Sequence, residues 1–191
     1  MTDSTAHGRG GKRERLVASA GDLLHRNGVA ATTLAQVAEA ADVPPGNVYY
    51  DFKTKDDLVR AVVDARADQV RAMLDTLGAR RSPGARLKAL ARQWVEMREL
   101  VARYGCPFGT LAAELDRRDD GLDRHAAKPI ELILDWAEGQ FRQMRRSDAR
   151  ELAVSFFASV QGAALLANAL RDPEIMTGHV RHLERWLDTL S

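Results

Sequence analysis

The chain has 191 residues, 45% hydrophobic and 29% charged, enough to bury a core in one or two small domains and unlike a disordered chain. A formal net charge of +1 lends nothing to nucleic-acid binding in bulk, so any such function must rest on local charge placement. No run of about 18 apolar residues and no apolar stretch behind the N-terminus occur, so neither a membrane span nor a secretory leader is expected.

Residues 1 to about 11, with Gly8, Gly10 and Gly11, read as a disordered tail. Helical spacing follows. Leu16, Ala20, Leu23 and Leu24 mark an amphipathic helix that Asn27-Gly28 stops. Thr33 is placed to cap a short helix carrying Leu34, Val37, Ala38 and Ala41. Pro44-Pro45-Gly46 breaks the chain, and a second short helix carries Val48, Tyr49 and Phe52. Thr54, with Asp57 three residues on, caps a long helix from about Lys55 to Leu77, and Ser82-Pro83-Gly84 ends that region.

Leu87, Leu90, Trp94, Met97, Val101 and Tyr104 then form one apolar stripe, broken by Gly105-Cys106-Pro107. A short helix runs through Leu111 to Leu115. The charged segment Asp116 to His125 reads as a solvated turn. Two long helices follow, about Pro129–Met144 and Asp148–Leu170. After Arg171-Asp172-Pro173 comes a last helix with Met176, Val180, Leu183, Leu187 and Leu190. The fold class expected is all-α, with about nine helices.

Residues 33–52, TLAQVAEAADVPPGNVYYDF, carry the functional signal. Two short helices across a tight turn make a helix-turn-helix, with Ala38 and Ala41 small enough for close approach. Val43, Val48 and Phe52 close a core, which leaves Pro45, Gly46, Asn47, Tyr49 and Tyr50 outward. The first residues of such a second helix touch base edges in the major groove. Asn47 can donate and accept there, and the tyrosines suit phosphate and thymine-methyl contacts. Across residues 1–57 seven basic side chains meet eight acidic ones; the positive charge gathers in Arg9, Lys12, Arg13 and Arg15, opposed there only by Glu14. Such an arm suits phosphate or a minor groove, or is simply solvated.

The stretch from Arg13 to Leu58 resembles the DNA-binding module of the TetR family. The resemblance is carried by the arginine-led first helix, Gly28, Thr33, Val37-Ala38, Val43, Gly46, Tyr49, Phe52, Lys55 and Leu58. It implies that Thr33 and Lys55 meet phosphate, that Tyr49 packs and touches the backbone, and that Pro44-Pro45 and Tyr50-Asp51 bear on operator choice. Lys53 joins this DNA-facing set. Residues 105–115 and 167–174 resemble stretches found in one branch of the family.

The implied protein is a one-component regulator, most simply a repressor. Residues 10–54 would bind DNA, and residues 55–191 would sense an effector and dimerise. Its partners would be a double-stranded palindromic operator, a second copy of the chain and a small-molecule effector, in the cytoplasm. Effector candidates are Trp94, Met97, Tyr104, Cys106, Phe108, Leu111, Trp136 and Phe156, whose alternative is plain core packing. Dimer candidates are Ala153, Ser159, Gly162, Ala163, Leu166, Leu183, Trp186, Leu187 and Leu190, whose alternative is the monomer's own core. The single cysteine fits a reducing compartment. Cys106 precedes Pro107, so it is expected extended, as the N-cap of the next helix, where the dipole favours thiolate; a thiol switch and an unreactive buried residue both remain open.

No cofactor or metal is expected. His179 and His182 lack a third ligand at fixed spacing, and the run Asp116, Asp119, Asp120, Asp123 lacks calcium-loop spacing. No catalytic constellation stands out, so the chain is not read as an enzyme. The alternative is a helical ligand-binding protein or enzyme that has lost DNA binding.

Overall fold

The computed structural model describes the backbone of residues 4–190 and the side chains of residues 11–190. Among the described residues there are ten helices and no strand: α1 (Ser4–Ala31), α2 (Leu34–Ala40), α3 (Pro45–Asp51), α4 (Lys55–Gly78), α5 (Pro83–Glu96), α6 (Arg98–Tyr104), α7 (Gly109–Leu115), α8 (Leu122–Gln143), α9 (Ala149–Leu170) and α10 (Glu174–Thr189). The tail expected through residue 11 is helical from Ser4 onward; residues 1–3, and the side chain of Arg9, lie outside the described residues.

Two compact units form. The first holds residues up to Arg66 together with Leu111–Ala126, and the second holds Ala67–Thr110 together with the residues from Ala127 on. These units are cut differently from the 10–54 and 55–191 division expected from the sequence. The chain returns to the first unit at Leu111 because Leu111, Leu115, Leu122 and Ala126 are buried in its core, with Leu16, Val37, Val48, Phe52 and Leu58.

Local chemistry sets each element of the first unit. Gly28, at φ 82°, breaks α1 with a left-handed residue that side chains rarely adopt. Thr33 caps α2 with a capping box: its Oγ accepts from Gln36 N–H at 3.2 Å, while Gln36 Oε1 accepts from Thr33 N–H at 2.9 Å. Asp42, at φ 51°, makes the turn, and Val43 N–H reaches Ala38 O at 2.9 Å. Pro45 takes the first position of α3, where a missing N–H costs no bond. Thr54 and Asp57 form the second capping box, at 3.0 and 2.9 Å, and start α4.

In the second unit α10 packs on α5 and α9, and α6 packs on α9. Its core includes Leu87, Leu90, Trp94, Ile133, Phe141, Phe156, Val160, Met176 and Leu187. Lys88 pairs with Asp188 at 2.5 Å and Arg92 with Glu184 at 2.6 Å, which ties α5 to α10 along the rim. The single helix expected through Leu87–Tyr104 is two. Met97, at φ −101° and ψ 15°, ends α5 and begins α6. The segment expected as a solvated turn is one only as far as Gly121. Helix α8 begins at Leu122, fully buried, so Pro129 lies inside a helix rather than at its start.

Candidate nucleic-acid interface and effector site

Helix α3 is held from beneath and open above. Val48 and Phe52 are buried, whereas Pro44, Pro45, Gly46 and Asn47 are exposed, with Tyr49 at 55% and Tyr50 at 64%. Two large aromatic side chains standing in solvent are poorly explained by packing and well suited to a polar, charged partner. Cations frame them. Lys12 Nζ lies 5.7 Å from the Tyr50 ring centre and 3.0 Å from Asp51 Oδ2, and Lys53 Nζ lies 5.8 Å from the same ring. The Arg13 guanidinium sits 5.0 Å from the Phe52 ring. Lys53 also donates to Tyr49 O at 3.0 Å, and Lys55 donates to Ala30 O at 3.3 Å. Thr33 is exposed at the start of α2.

Sequence reasoning missed the side chains that steady this face. Glu114, on α7, accepts from the backbone N–H groups of Val29 and Ala30 at 2.7 and 2.9 Å, just past the Gly28 break. Arg118 grips Asp56, at the start of α4, with both terminal nitrogens, and also pairs with Asp120. These partners raise the Arg118 pKa and pull Asp120 below the usual carboxylate range, so both stay charged. His125 lies 3.1 Å from Asp64. No spacing rule links Glu114 to Val29 or Arg118 to Asp56, pairs 85 and 62 positions apart, so these contacts left no signal in the sequence.

The effector candidates divide into groups. Trp94 is 1% exposed, and its ring meets Phe157 at 5.5 Å and Phe108 at 6.4 Å, both edge to face. Phe157 was not anticipated. Phe156 belongs to another group, packing on Phe141 at 6.4 Å, which in turn meets Trp186 at 6.1 Å. Met97 and Trp136 are partly buried against the same core, and Tyr104 stands 5.2 Å from the Arg103 guanidinium. Leu111 is a correction: it is buried in the first unit's core, not in the core that holds Trp94 and Phe156.

Cys106 is a second correction. Helix α7 begins at Gly109, so Cys106 is not its N-cap, and the residue is 4% exposed. Its carbonyl accepts from the Thr110 N–H at 3.0 Å and hydroxyl at 2.7 Å. Two residues of the 167–174 segment reach the end of α6, just before Gly105: Asn168 Nδ2 donates to Ala102 O at 3.1 Å, and Arg171 donates to the Ala102 and Arg103 carbonyls. Gly105, at φ 83°, allows this, since a Cβ there would strike the Thr110 methyl.

Four of the dimer candidates are corrected as well. Ala153, Ala163, Leu183 and Leu187 are buried in the protomer's own core and offer no area to a second copy. Trp186 and Leu190 pack partly against that core. Ser159 meets His179 Nε2 at 3.1 Å. Gly162 and Leu166 do face outward, and with them Val154, Leu165 and Leu170, the last three 45%, 69% and 65% exposed. No charged residue occurs from Leu152 to Leu170. By length and composition α9 could cross a membrane.

Comparison with known proteins accounts for both units. Residues 16–62 match the family model described as bacterial regulatory proteins, tetR family, and residues 83–183 match the tetracyclin repressor-like C-terminal domain. The chain is 31% identical over 194 residues to the HTH-type transcriptional regulator TtgR of Pseudomonas putida, covering 93% of this chain and 88% of that one. It is 26% identical to the HTH-type transcriptional regulator LmrA of Bacillus subtilis, over 83% and 87% of the two chains. A solved TetR transcriptional regulator from Chloroflexus aurantiacus superposes with a TM-score of 0.82 at 24% identity, covering 94% of this chain and 96% of that one. The chain belongs to the TetR family of transcriptional regulators.

Proposed function

We propose that this regulator is a cytoplasmic homodimeric repressor that holds a palindromic operator through two copies of α3 and lets go when a small apolar effector enters the second unit. The observation that carries the reading is α3 itself: Asn47, Tyr49 and Tyr50 stand outward over buried Val48 and Phe52, flanked by Lys53 and Lys55. Asn47 reads bases; Thr33, Tyr49 and Lys55 hold phosphate. The uncharged outward stripe of α9, Val154 through Leu170, supports pairing with a second copy. The Trp94, Phe108 and Phe157 rings support an effector with an aromatic or apolar body.

Release follows from linkage. The effector must bind the state whose two α3 helices do not match successive major grooves better than the state whose helices do, since equal affinity shifts nothing. The test is fluorescence anisotropy on fragments of the DNA flanking the coding region. A palindrome with half-sites about 34–36 Å apart, or a multiple of that, is expected to bind far tighter than unrelated DNA. Binding that is weak and indifferent to sequence would overturn the reading in favour of a ligand-binding protein without an operator.

A further inference from the structure

Two buried hydrogen-bond donors in the second unit have no acceptor. The Nε1 of Trp94 is one, on a side chain only 1% exposed, and the Nε2 of Gln161 is the other. They belong to one locus. Trp94 packs on Phe108 and Phe157. Gln161 is one turn beyond Phe157 on α9, and its amide presses on Gly109, the residue after Phe108, with the Cys106 side chain beside it. A Cβ at Gly109 would stand 2.7 Å from the Gln161 oxygen, so glycine there is what lets the amide in. An unpaired indole N–H and an unpaired carboxamide N–H, from α5 and α9, therefore both neighbour the segment of Phe108 and Gly109 and the Phe157 turn of α9.

An N–H left unpaired in a dry interior is unfavourable, and an acceptor brought to it relieves that. Both groups are neutral donors. A neutral carbonyl-type oxygen suits them, whereas a carboxylate without a countercharge would be costly to bury. Phe108, only partly buried, packs its ring edge to face on Trp94 and is the least enclosed of the three rings at this locus.

We propose that the effector taken here is a neutral aromatic molecule with a carbonyl-type acceptor on one edge, held by Trp94 Nε1–H and the Gln161 carboxamide. This rests on the effector reading above and adds the chemistry of the ligand to it.

The test uses the full-length protein and a matched pair of probes, 9-fluorenone and fluorene, which share a tricyclic body and differ by the carbonyl. Calorimetry is expected to give fluorenone about tenfold tighter binding. In wild-type protein carrying ¹⁵N-labelled indoles, the Trp94 N–H resonance moves downfield with fluorenone and not with fluorene; loss of the peak in Trp94→Phe assigns it. Gln161→Leu brings the two affinities together while keeping the fluorene value. Equal affinities in the wild type, no binding of either probe, or an unmoved Trp94 resonance each overturn the proposal. Operator affinity of the ligand-free protein is measured alongside. If it holds while the probes bind alike, the donor assignment falls and the regulator stands; operator affinity missing from the outset removes the regulator reading itself.

Discussion

The Glu114 carboxylate accepts from the backbone N–H of Val29 at 2.7 Å, eighty-five residues away in the chain. Gly28 breaks α1, and the turn after the break begins with N–H groups that no preceding carbonyl can serve. Glu114 serves two of them, and the same short turn leads into Thr33 and α2. Glu114→Ala is expected to lower stability by on the order of 1–2 kcal/mol and to weaken operator binding whatever the sequence. Urea unfolding and anisotropy check this; unchanged stability and affinity together would show the contact to be idle.

Lys55 and Asn47 should fail differently. Lys55→Ala is expected to weaken binding to specific and unrelated DNA alike and to lower the salt slope by about one unit. Asn47→Ala should instead change which bases are preferred at one position of each half-site, at a cost of about 1–3 kcal/mol for the native site. Titrations on a set of single-base operator variants at several salt concentrations separate the two. If Asn47→Ala scaled all variants equally, the helix would be docked in another register.

The outward face of α9 predicts the assembly. Leu165→Glu or Leu166→Arg places a charge in the uncharged stripe without touching the protomer's core, since both residues are more than half exposed. Either variant is expected to sediment as a folded monomer and to lose operator affinity. A stable dimer from both would move the interface elsewhere.

The sequence spoke clearly where the physics is local. Thr33 with Gln36 and Thr54 with Asp57 are three residues apart, so both helix starts could be read directly. Pro44-Pro45 marked the start of α3 for the same reason. Partner choice was not local. Ala153, Ala163, Leu183 and Leu187 follow helical spacing that tells which side is apolar, and that side faces the protomer's own core. Pro129 suggested a helix start, but Leu122 had a core to anchor seven residues earlier. At Met97 neither proline nor glycine announces the break between α5 and α6. Phe157 and Gln161 were hidden because α9 is apolar on nearly every side, so no stripe singles out its inner wall.

His179 gives the pH dependence a direction. Burial pushes its imidazole below the usual 6.5, with the neighbouring His182 charge adding to the shift, and its Nε2 meets Ser159. The folded state then binds fewer protons than the unfolded one between the two pKa values, so stability falls as pH drops below about 6.5 and is unaffected by this residue above it. His179→Gln keeps a polar partner for Ser159 and is expected to flatten that part of the profile. Unfolding midpoints from pH 8 to pH 5 decide; identical profiles would assign the acid sensitivity to other groups.

A stripe of aliphatic and small side chains carries no sign. If α9 pairs with a second copy as proposed, its outward face would fit the corresponding face of a relative with similar spacing about as well, since nothing in it repels. In such a dimer, discrimination between like and unlike subunits would fall to charged residues nearby, of which Arg181, His182 and Arg185 stand exposed on α10. A relative bearing the same sign there would be turned away, and one bearing the opposite sign would be welcomed. Drift at these three positions would then split one regulatory circuit into two insulated ones, or merge two into one, with α3 and the fold left as they are.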